Sequence, residues 1–294
     1  MYGPRYVQCV SSTFANTDYL SYQYEYIVDL CVIAFRIHDT GNKLIPIGIE
    51  NHVCFLYTAS EDRTIKVWDT MTYLPIRTIQ NRVIRTSSFQ CMTQSWKHLI
   101  AGTSTATIFI FTKTNECSRP ESDIHACSTP GADKIGCLQK ILKLPPYNKT
   151  DSGNPPSVTA ILCTGPYYVL SHLYAGDSTG QLAVWEVPYE GIDYRAVVYL
   201  KVHNGPINAL GTTFKHLLSC GDDGMLIFID LESCNIVRRM DVLAEGVKRE
   251  LTPRPDVIRR LKSIFIREDA DEGSMVAVGT SYGDIFLISI GTNV

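Results

Sequence analysis

Leu56-Tyr-Thr-Ala-Ser-Glu-Asp-Arg-Thr-Ile-Lys-Val-Trp-Asp69 is one of five copies of a fourteen-residue pattern, and that recurrence decides the fold. The other copies are Leu99–Thr112 (LIAGTSTATIFIFT), Leu173–Glu186 (LYAGDSTGQLAVWE), Leu217–Asp230 (LLSCGDDGMLIFID) and Val276–Ser289 (VAVGTSYGDIFLIS). Each reads as an apolar strand, small residues, a polar or glycine tight turn, then an alternating second strand, which is a hairpin signal. Start-to-start spacings are 43, 74, 44 and 59 residues, the longer two carrying insertions. A repeat of this period marks blades or solenoid units, each burying its apolar face against its neighbours.

Working outward, the first unit is expected to use strands near Leu44–Ile49, Val53–Ser60, Thr64–Trp68 and Leu74–Ile79. The second uses Val83–Gln90, His98–Thr103 and Thr107–Thr112, with its last strand at Ile135–Leu144 after a loop over 113–133 rich in Pro, Gly and Ser. A second loop, 145–156, precedes Val158–Thr164; a third, 243–257, separates the fourth unit (Pro206–Val242) from the fifth (from Ile258). Residues 1–41 form a divergent N-terminal unit or a ring-closing segment, with a degenerate copy near Thr13–Tyr26 and an outer strand at Leu30–Ile37.

The pattern resembles the WD40 family, whose repeat contributes a four-stranded blade to a β-propeller. Trp68-Asp69 matches the closing dipeptide, Trp185-Glu186 is a near variant, and His203-Asn-Gly-Pro-Ile-Asn-Ala-Leu210 matches the opening end. The resemblance covers roughly residues 42 to 294. It implies an all-β propeller spanning 1–294 as a single domain, with six blades favoured and a partial or divergent propeller as the alternative. It also implies a bracing network of a His before the first strand, a Ser or Thr on the second, an Asp at the turn and a Trp on the third. Carried over by position, the first unit supplies Thr58, Asp62 and Trp68. The fourth supplies His203, Ser219 and Asp223 but has Ile229 at the Trp place, and the third keeps Trp185 with Ala175 and Thr179 at the Ser and Asp places. Apolar packing is therefore expected to hold the blades more than these networks do.

Hydrophobic residues make up 45% of the 294 and charged residues 19%, which argues against wholesale disorder. A net charge of −3 creates no global field for nucleic acid or membrane. The ten cysteines are irregularly spaced, and Cys54, Cys91, Cys163 and Cys220 sit in apolar strands as free thiols do, so an intracellular, cytoplasmic or nuclear location is expected. No secretory signal opens the sequence, and Ile27–Ile37 is too short and too charged to span a bilayer. The sequon at Asn148-Lys149-Thr150 carries little weight without such a signal.

Chemistry is thinly represented. His203, Ser219 and Asp223 look like a nucleophilic triad, but all three fill bracing positions of the resemblance. The phosphate, dinucleotide, zinc-protease and serine-elbow motifs are absent, so no enzyme activity, cofactor or small-molecule substrate is expected. Cys117, His125, Cys127 and Cys137 cluster locally but lack the paired C-x2-C knuckle of a zinc site, and no metal is assigned.

Nine of the 27 Lys and Arg lie between Arg238 and Arg267, partly offset by Asp241, Glu245, Glu250 and Asp256. Arg238, Arg239, Arg259, Arg260 and Lys262 are the candidate anion patch for phosphoinositides or nucleic acid. Phosphoinositide-binding propellers carry Arg-Arg-Gly, whereas here Met240 follows Arg238-Arg239. Trp68-Asp69 is followed by Thr70-Met71, without the arginine by which substrate receptors dock on a cullin adaptor. The leading expectation is a non-catalytic scaffold or adaptor that binds other proteins through the turns between the second and third strands. Those positions are Glu61, Arg63, Ser104, Ser178, Asp222, Ser281 and Tyr282.

Overall fold

A computed structural model describes residues 41–46, 55–60, 63–69, 74–80, 87–95, 98–112, 138–145, 155–165, 171–187, 194–242, 244, 260–269 and 273–290. The first sheet is β1 (Gly41–Pro46), β2 (Phe55–Ser60), β3 (Thr64–Asp69) and β4 (Pro75–Gln80), hydrogen-bonded in that order. The second is β5 (Phe89–Gln94), β6 (His98–Thr103), β7 (Thr107–Thr112) and β8 (Leu138–Lys143). The third is β9 (Val158–Thr164), β10 (His172–Asp177), β11 (Gln181–Glu186) and β12 (Arg195–Lys201); the fourth is β13 (Ile207–Thr212), β14 (His216–Gly221), β15 (Met225–Asp230) and β16 (Ile236–Asp241). The fifth has three strands, β17 (Leu261–Asp269), β18 (Gly273–Thr280) and β19 (Ile285–Ile290).

Each sheet is an antiparallel meander, and the five are copies of one another in detail. The turn between second and third strands holds a left-handed residue at the same place in every copy: Arg63, Ala106, Gly180, Gly224 and Gly283. A three-residue loop ending in that conformation is a preferred hairpin closure, and glycine takes it without the clash that a Cβ brings. In the four-stranded sheets the fourth strand is bulged at one shared position, its extra residue (Ile76, Gln139, Val197 and Val237) lying opposite the step into Trp68, Phe111, Trp185 and Ile229. Such bulges bend and twist the outer strand.

The first strands line up, β1 against β5, β5 against β9, β9 against β13 and β13 against β17. Between successive sheets lie four apolar layers. Tyr57, Ile65, Val67, Phe89 and Phe109 join the first to the second, and Ile108, Ile110, Val158, Leu173 and Trp185 the second to the third. Leu162, Tyr174, Ile207, Leu217 and Ile227 join the third to the fourth, and Leu218, Leu226, Phe228, Leu261 and Val276 the fourth to the fifth. Each fully buried Leu, Ile or Phe contributes about 1.5–3 kcal/mol over exposure, so face-to-face burial is the main stabilising term. This all-β stack of antiparallel sheets, laid down in chain order, is consistent with the propeller architecture that the repeat resemblance implies.

Two expected strands shift. The first strand of the second sheet runs Phe89–Gln94, not Val83–Gln90, because Phe89, Cys91 and Met92 are the residues buried and the turn serine Ser104 clasps Ser88 just ahead of them. In the first sheet β1, Gly41–Pro46, begins three residues ahead of the expected Leu44, and 47–49 of the expected strand lie outside the described residues. The N-terminal unit 1–41 lies outside the described residues apart from Gly41, as do loop 113–133 and most of loops 145–156 and 243–257. Among the described residues no helix is long and apolar enough to cross a membrane.

Candidate partner-binding face

Three of the turns expected to meet partners share one construction. Ser104 Oγ accepts the Ser88 N–H at 3.1 Å, and the Ser104 N–H donates to the Ser88 carbonyl at 2.9 Å. Ser178 makes the same pair with Ser157, at 3.0 and 2.9 Å, and Ser281 with Arg260, at 3.2 and 2.9 Å. Each clasp ties the turn to the residues entering the first strand of its own sheet, satisfying backbone groups that the ladder leaves open. A link between sheets follows, since Ser157 Oγ donates to the Ser104 carbonyl at 3.3 Å. The turns of the second and third sheets thus meet at one end of the stack.

Asp222 occupies the serine position of the fourth sheet, and its N–H donates to the Pro206 carbonyl at 3.1 Å. Its carboxylate reaches into the fifth sheet. Oδ1 accepts from Lys262 Nζ and from Asn208 Nδ2, both at 2.7 Å, and Oδ2 pairs with Arg260 Nη1 at 3.0 Å. Asn208 also donates to the Leu261 carbonyl at 2.7 Å and accepts from Lys262 at 3.1 Å. Burial pushes the Asp222 carboxyl up, but the hydrogen bonds from Lys262 and Asn208 and the charges of Lys262 and Arg260 outweigh it and hold the group below the usual carboxylate range.

The four described cations of the candidate anion patch have separate engagements. Arg260 and Lys262 are engaged by Asp222. Arg238 and Arg239 lie on β16, the outermost strand of the fourth sheet; Arg238 sits 5.8 Å from the Phe228 ring, and Arg239 Nη1 donates to the Val202 carbonyl at 3.2 Å. Arg259 falls outside the described residues, as do Glu61, Asp62, Cys54 and the cluster Cys117, His125, Cys127 and Cys137. At the turn end the most open members are Arg63 and Tyr282, the latter 60% exposed, with Ser281 exposed and Ser104 and Ser178 half-buried.

The expected brace of the fourth sheet is formed. His203 Nδ1 lies 2.8 Å from Asp223 Oδ1, and Nε2 lies 2.9 Å from Ser219 Oγ. Asp223 also accepts the Asn204 and Met225 N–H groups, at 3.0 and 3.2 Å. Burial raises the Asp223 carboxyl, and the bonds from His203 and Asn204 bring it below its ordinary value. His203 and Ser219 are buried, so the hydroxyl does not present itself to a substrate as a nucleophile must. Thr58 is buried on β2, Trp185 packs in the layer between the second and third sheets, and Trp68 lies on β3.

Asp177 is the residue that position matching missed. The matching assigned the turn role in the third sheet to Thr179, but the lock sits two residues earlier, on the last residue of β10. Asp177, fully buried, accepts at Oδ1 from Thr179 N–H (2.8 Å), Thr179 Oγ1 (2.7 Å) and Gln181 N–H (3.0 Å), and at Oδ2 from Tyr199 OH (3.4 Å). Thr103 and Thr280 do the same work in their sheets, accepting the N–H of Thr105 and of Tyr282 and Asp284. The fourth sheet has Gly221 there, where a Cβ would lie 2.8 Å from His203 Nδ1, and the lock passes to Asp223. The available signal was an acceptor side chain ending the second strand in these copies.

Residues 32–69 match the family model described as WD domain, G-beta repeat. The matched segment closes on Trp68-Asp69 and contains β1 to β3. No curated protein matches the chain.

Proposed function

We propose that this protein is a non-catalytic interaction scaffold or adaptor subunit, holding protein partners on the end of the propeller where the turns between second and third strands emerge. The observation that carries the reading is the repeated clasp of Ser104, Ser178 and Ser281. It fixes these three turns to their sheets by two hydrogen bonds each, leaving a pre-ordered rim that includes the exposed Tyr282, with the exposed Arg63 at the corresponding turn of the first sheet. A rim already ordered loses little freedom on binding, and Tyr and Arg are the side chains most often energetically dominant at interfaces. The alternative, an adaptor for phosphoinositides or nucleic acid, draws less support, because Arg260 and Lys262 already share the carboxylate of Asp222. Free thiols at Cys91, Cys163, Cys220 and Cys234 fit a reducing, intracellular compartment.

The test is affinity purification of the tagged full chain from its native cells at low and high salt, with Arg63→Ala, Tyr282→Ala and a control, Phe214→Ala, in the β13–β14 turn. Salt-resistant proteins lost on the first two changes and kept on the third support the reading. Recovery of only RNA or lipid, lost at high salt, overturns it.

A further inference from the structure

The segment Val202–Pro206 carries the chain from the third sheet to the fourth and is held from both sides. The Val202 and His203 N–H groups donate to the Gly180 carbonyl, in the turn between β10 and β11, at 2.9 and 3.0 Å. On the side of the fourth sheet, Asp223 Oδ2 accepts the Asn204 N–H at 3.0 Å, and the Pro206 carbonyl accepts the Asp222 N–H at 3.1 Å. Two groups of the segment are left over. Among the described residues neither the Asn204 carboxamide nor the Gly205 N–H has a hydrogen-bond partner, and Asn204 is exposed to water. Asn204 is also the only asparagine of the chain that is followed by glycine. The fold does not demand that glycine. Gly205 does not take a left-handed φ, and a Cβ added there would meet only Asp222 Cβ within 4 Å, at 3.3 Å. What the glycine does is leave its nitrogen without the steric cover of a side chain. The nearby pair Asp223-Gly224 is the contrasting case. There the carboxylate is engaged by His203, Asn204 and Met225, and the Gly224 N–H donates to the Gly221 carbonyl at 3.3 Å.

We propose that Asn204 is a self-modifying site, converted in the folded protein to aspartate and isoaspartate without an enzyme. The Gly205 nitrogen, losing its proton to hydroxide, bonds to Asn204 Cγ. The carboxamide nitrogen takes a proton from water and departs as ammonia, leaving a succinimide ring that spans the two residues. Water then opens the ring. Cleavage between Cγ and the ring nitrogen restores the backbone and leaves an aspartate side chain. Cleavage at the main-chain carbonyl leaves isoaspartate, whose backbone runs through Cγ and is one methylene longer. On either route the chain gains a water and loses an ammonia, and nothing is oxidised or reduced. Both products set a carboxylate beside Asp223, whose Oδ2 takes the Asn204 N–H, and like charges at this range repel. In isoaspartate the extra methylene falls between the bonds to Gly180 and the bond to Asp222, so the two sets cannot both keep their spacing. The modification thereby loosens the joint between the third and fourth sheets, at the end where their β10–β11 and β14–β15 turns emerge.

The experiment incubates the folded full chain in heavy-oxygen water at neutral pH and maps its peptides by mass spectrometry, with electron-transfer fragmentation to tell isoaspartate from aspartate. Heavy oxygen is expected at residue 204 well before it appears at Asn208 or Asn235, with isoaspartate among the products. Gly205→Ala should slow the conversion by about tenfold or more. Asn204→Gln, an exposed change whose longer side chain would have to close a larger ring, should keep its amide. A residue 204 that stays intact as long as Asn208 and Asn235, aspartate without isoaspartate, or equal rates in the parent and either variant overturns the proposal. As a second measurement, the urea midpoint of the parent should fall as conversion proceeds while that of Asn204→Gln holds. An unchanged midpoint in fully converted protein overturns the loosening of the joint.

Discussion

Asp222 in the β14–β15 turn and Lys262 on β17 meet at 2.7 Å, so the fourth and fifth sheets are joined by charge as well as by the apolar layer between them. Arg260 and Asn208 complete the joint on the same carboxylate. Exposed ion pairs contribute little, but here only 16% of the Asp222 side chain and 32% of the Lys262 side chain are accessible, and hydrogen bonds fill the remaining acceptor sites.

Removing that joint gives the first prediction. Asp222→Ala should destabilise the chain by about 1–2 kcal/mol in urea denaturation, and Lys262→Glu, which sets two carboxylates face to face, should cost more. In a double-mutant cycle Arg260→Ala should cost much less once Asp222 is gone. Additive losses would show that the two side chains do not interact.

The second prediction separates Asp177 from Thr179, two residues on in the turn. Asp177→Ala strips acceptors from two backbone N–H groups and two hydroxyls in a buried turn, and is expected to cost about 2–3 kcal/mol. Thr179→Ala removes one donor and should cost about 1 kcal/mol or less. The check is a fall in the denaturation midpoint at unchanged slope; equal effects would return the turn lock to Thr179.

How far the sequence spoke for itself follows from what repeats and what does not. The alternation in Thr64–Trp68 and Thr107–Thr112 marks third strands within a residue, because a period of two and a register shared by five copies constrain each other. The first strands were less legible. The shift from Val83–Gln90 to Phe89–Gln94 is set by a serine clasp from residue 104, a contact that no local pattern encodes. The same holds for the turn residues: Ser104, Ser178 and Ser281 were read as surface display, whereas their hydroxyls are tied to backbone. Asp177 escaped because aligning to a family position looks for a residue at a place, while the backbone needs only an acceptor within reach.

The third prediction concerns the left-handed turn position. Ala106 adopts φ 56° where three other copies have glycine. Ala106→Gly should therefore stabilise, by up to about 1 kcal/mol, since the cost of a Cβ in this region is partly offset by the added freedom of glycine in the unfolded chain. Gly180→Ala should destabilise by more than that. Its φ is +88°, and an added Cβ would lie 2.2 Å from the His203 carbonyl oxygen and 2.5 Å from that of Gly205. Thermal denaturation of both variants should show shifts of opposite sign.

The fourth prediction is the alkaline limit of stability. Burial, then the charge of Asp177 and its hydrogen bond, push the Tyr199 phenol up to about 12. An unfolded tyrosine titrates near about 10. A group whose folded pKa is raised contributes stability that is fully present below its unfolded value and is lost as pH rises through the folded one. Tyr199 should thus weaken the fold progressively between about pH 10 and pH 12. Tyr199→Phe keeps the ring and removes only a 3.4 Å hydrogen bond, so its cost at neutral pH should be small. Urea midpoints measured across the alkaline range should fall less steeply in Tyr199→Phe than in the parent chain. Identical slopes would mean that Tyr199 titrates alike in the folded and unfolded states.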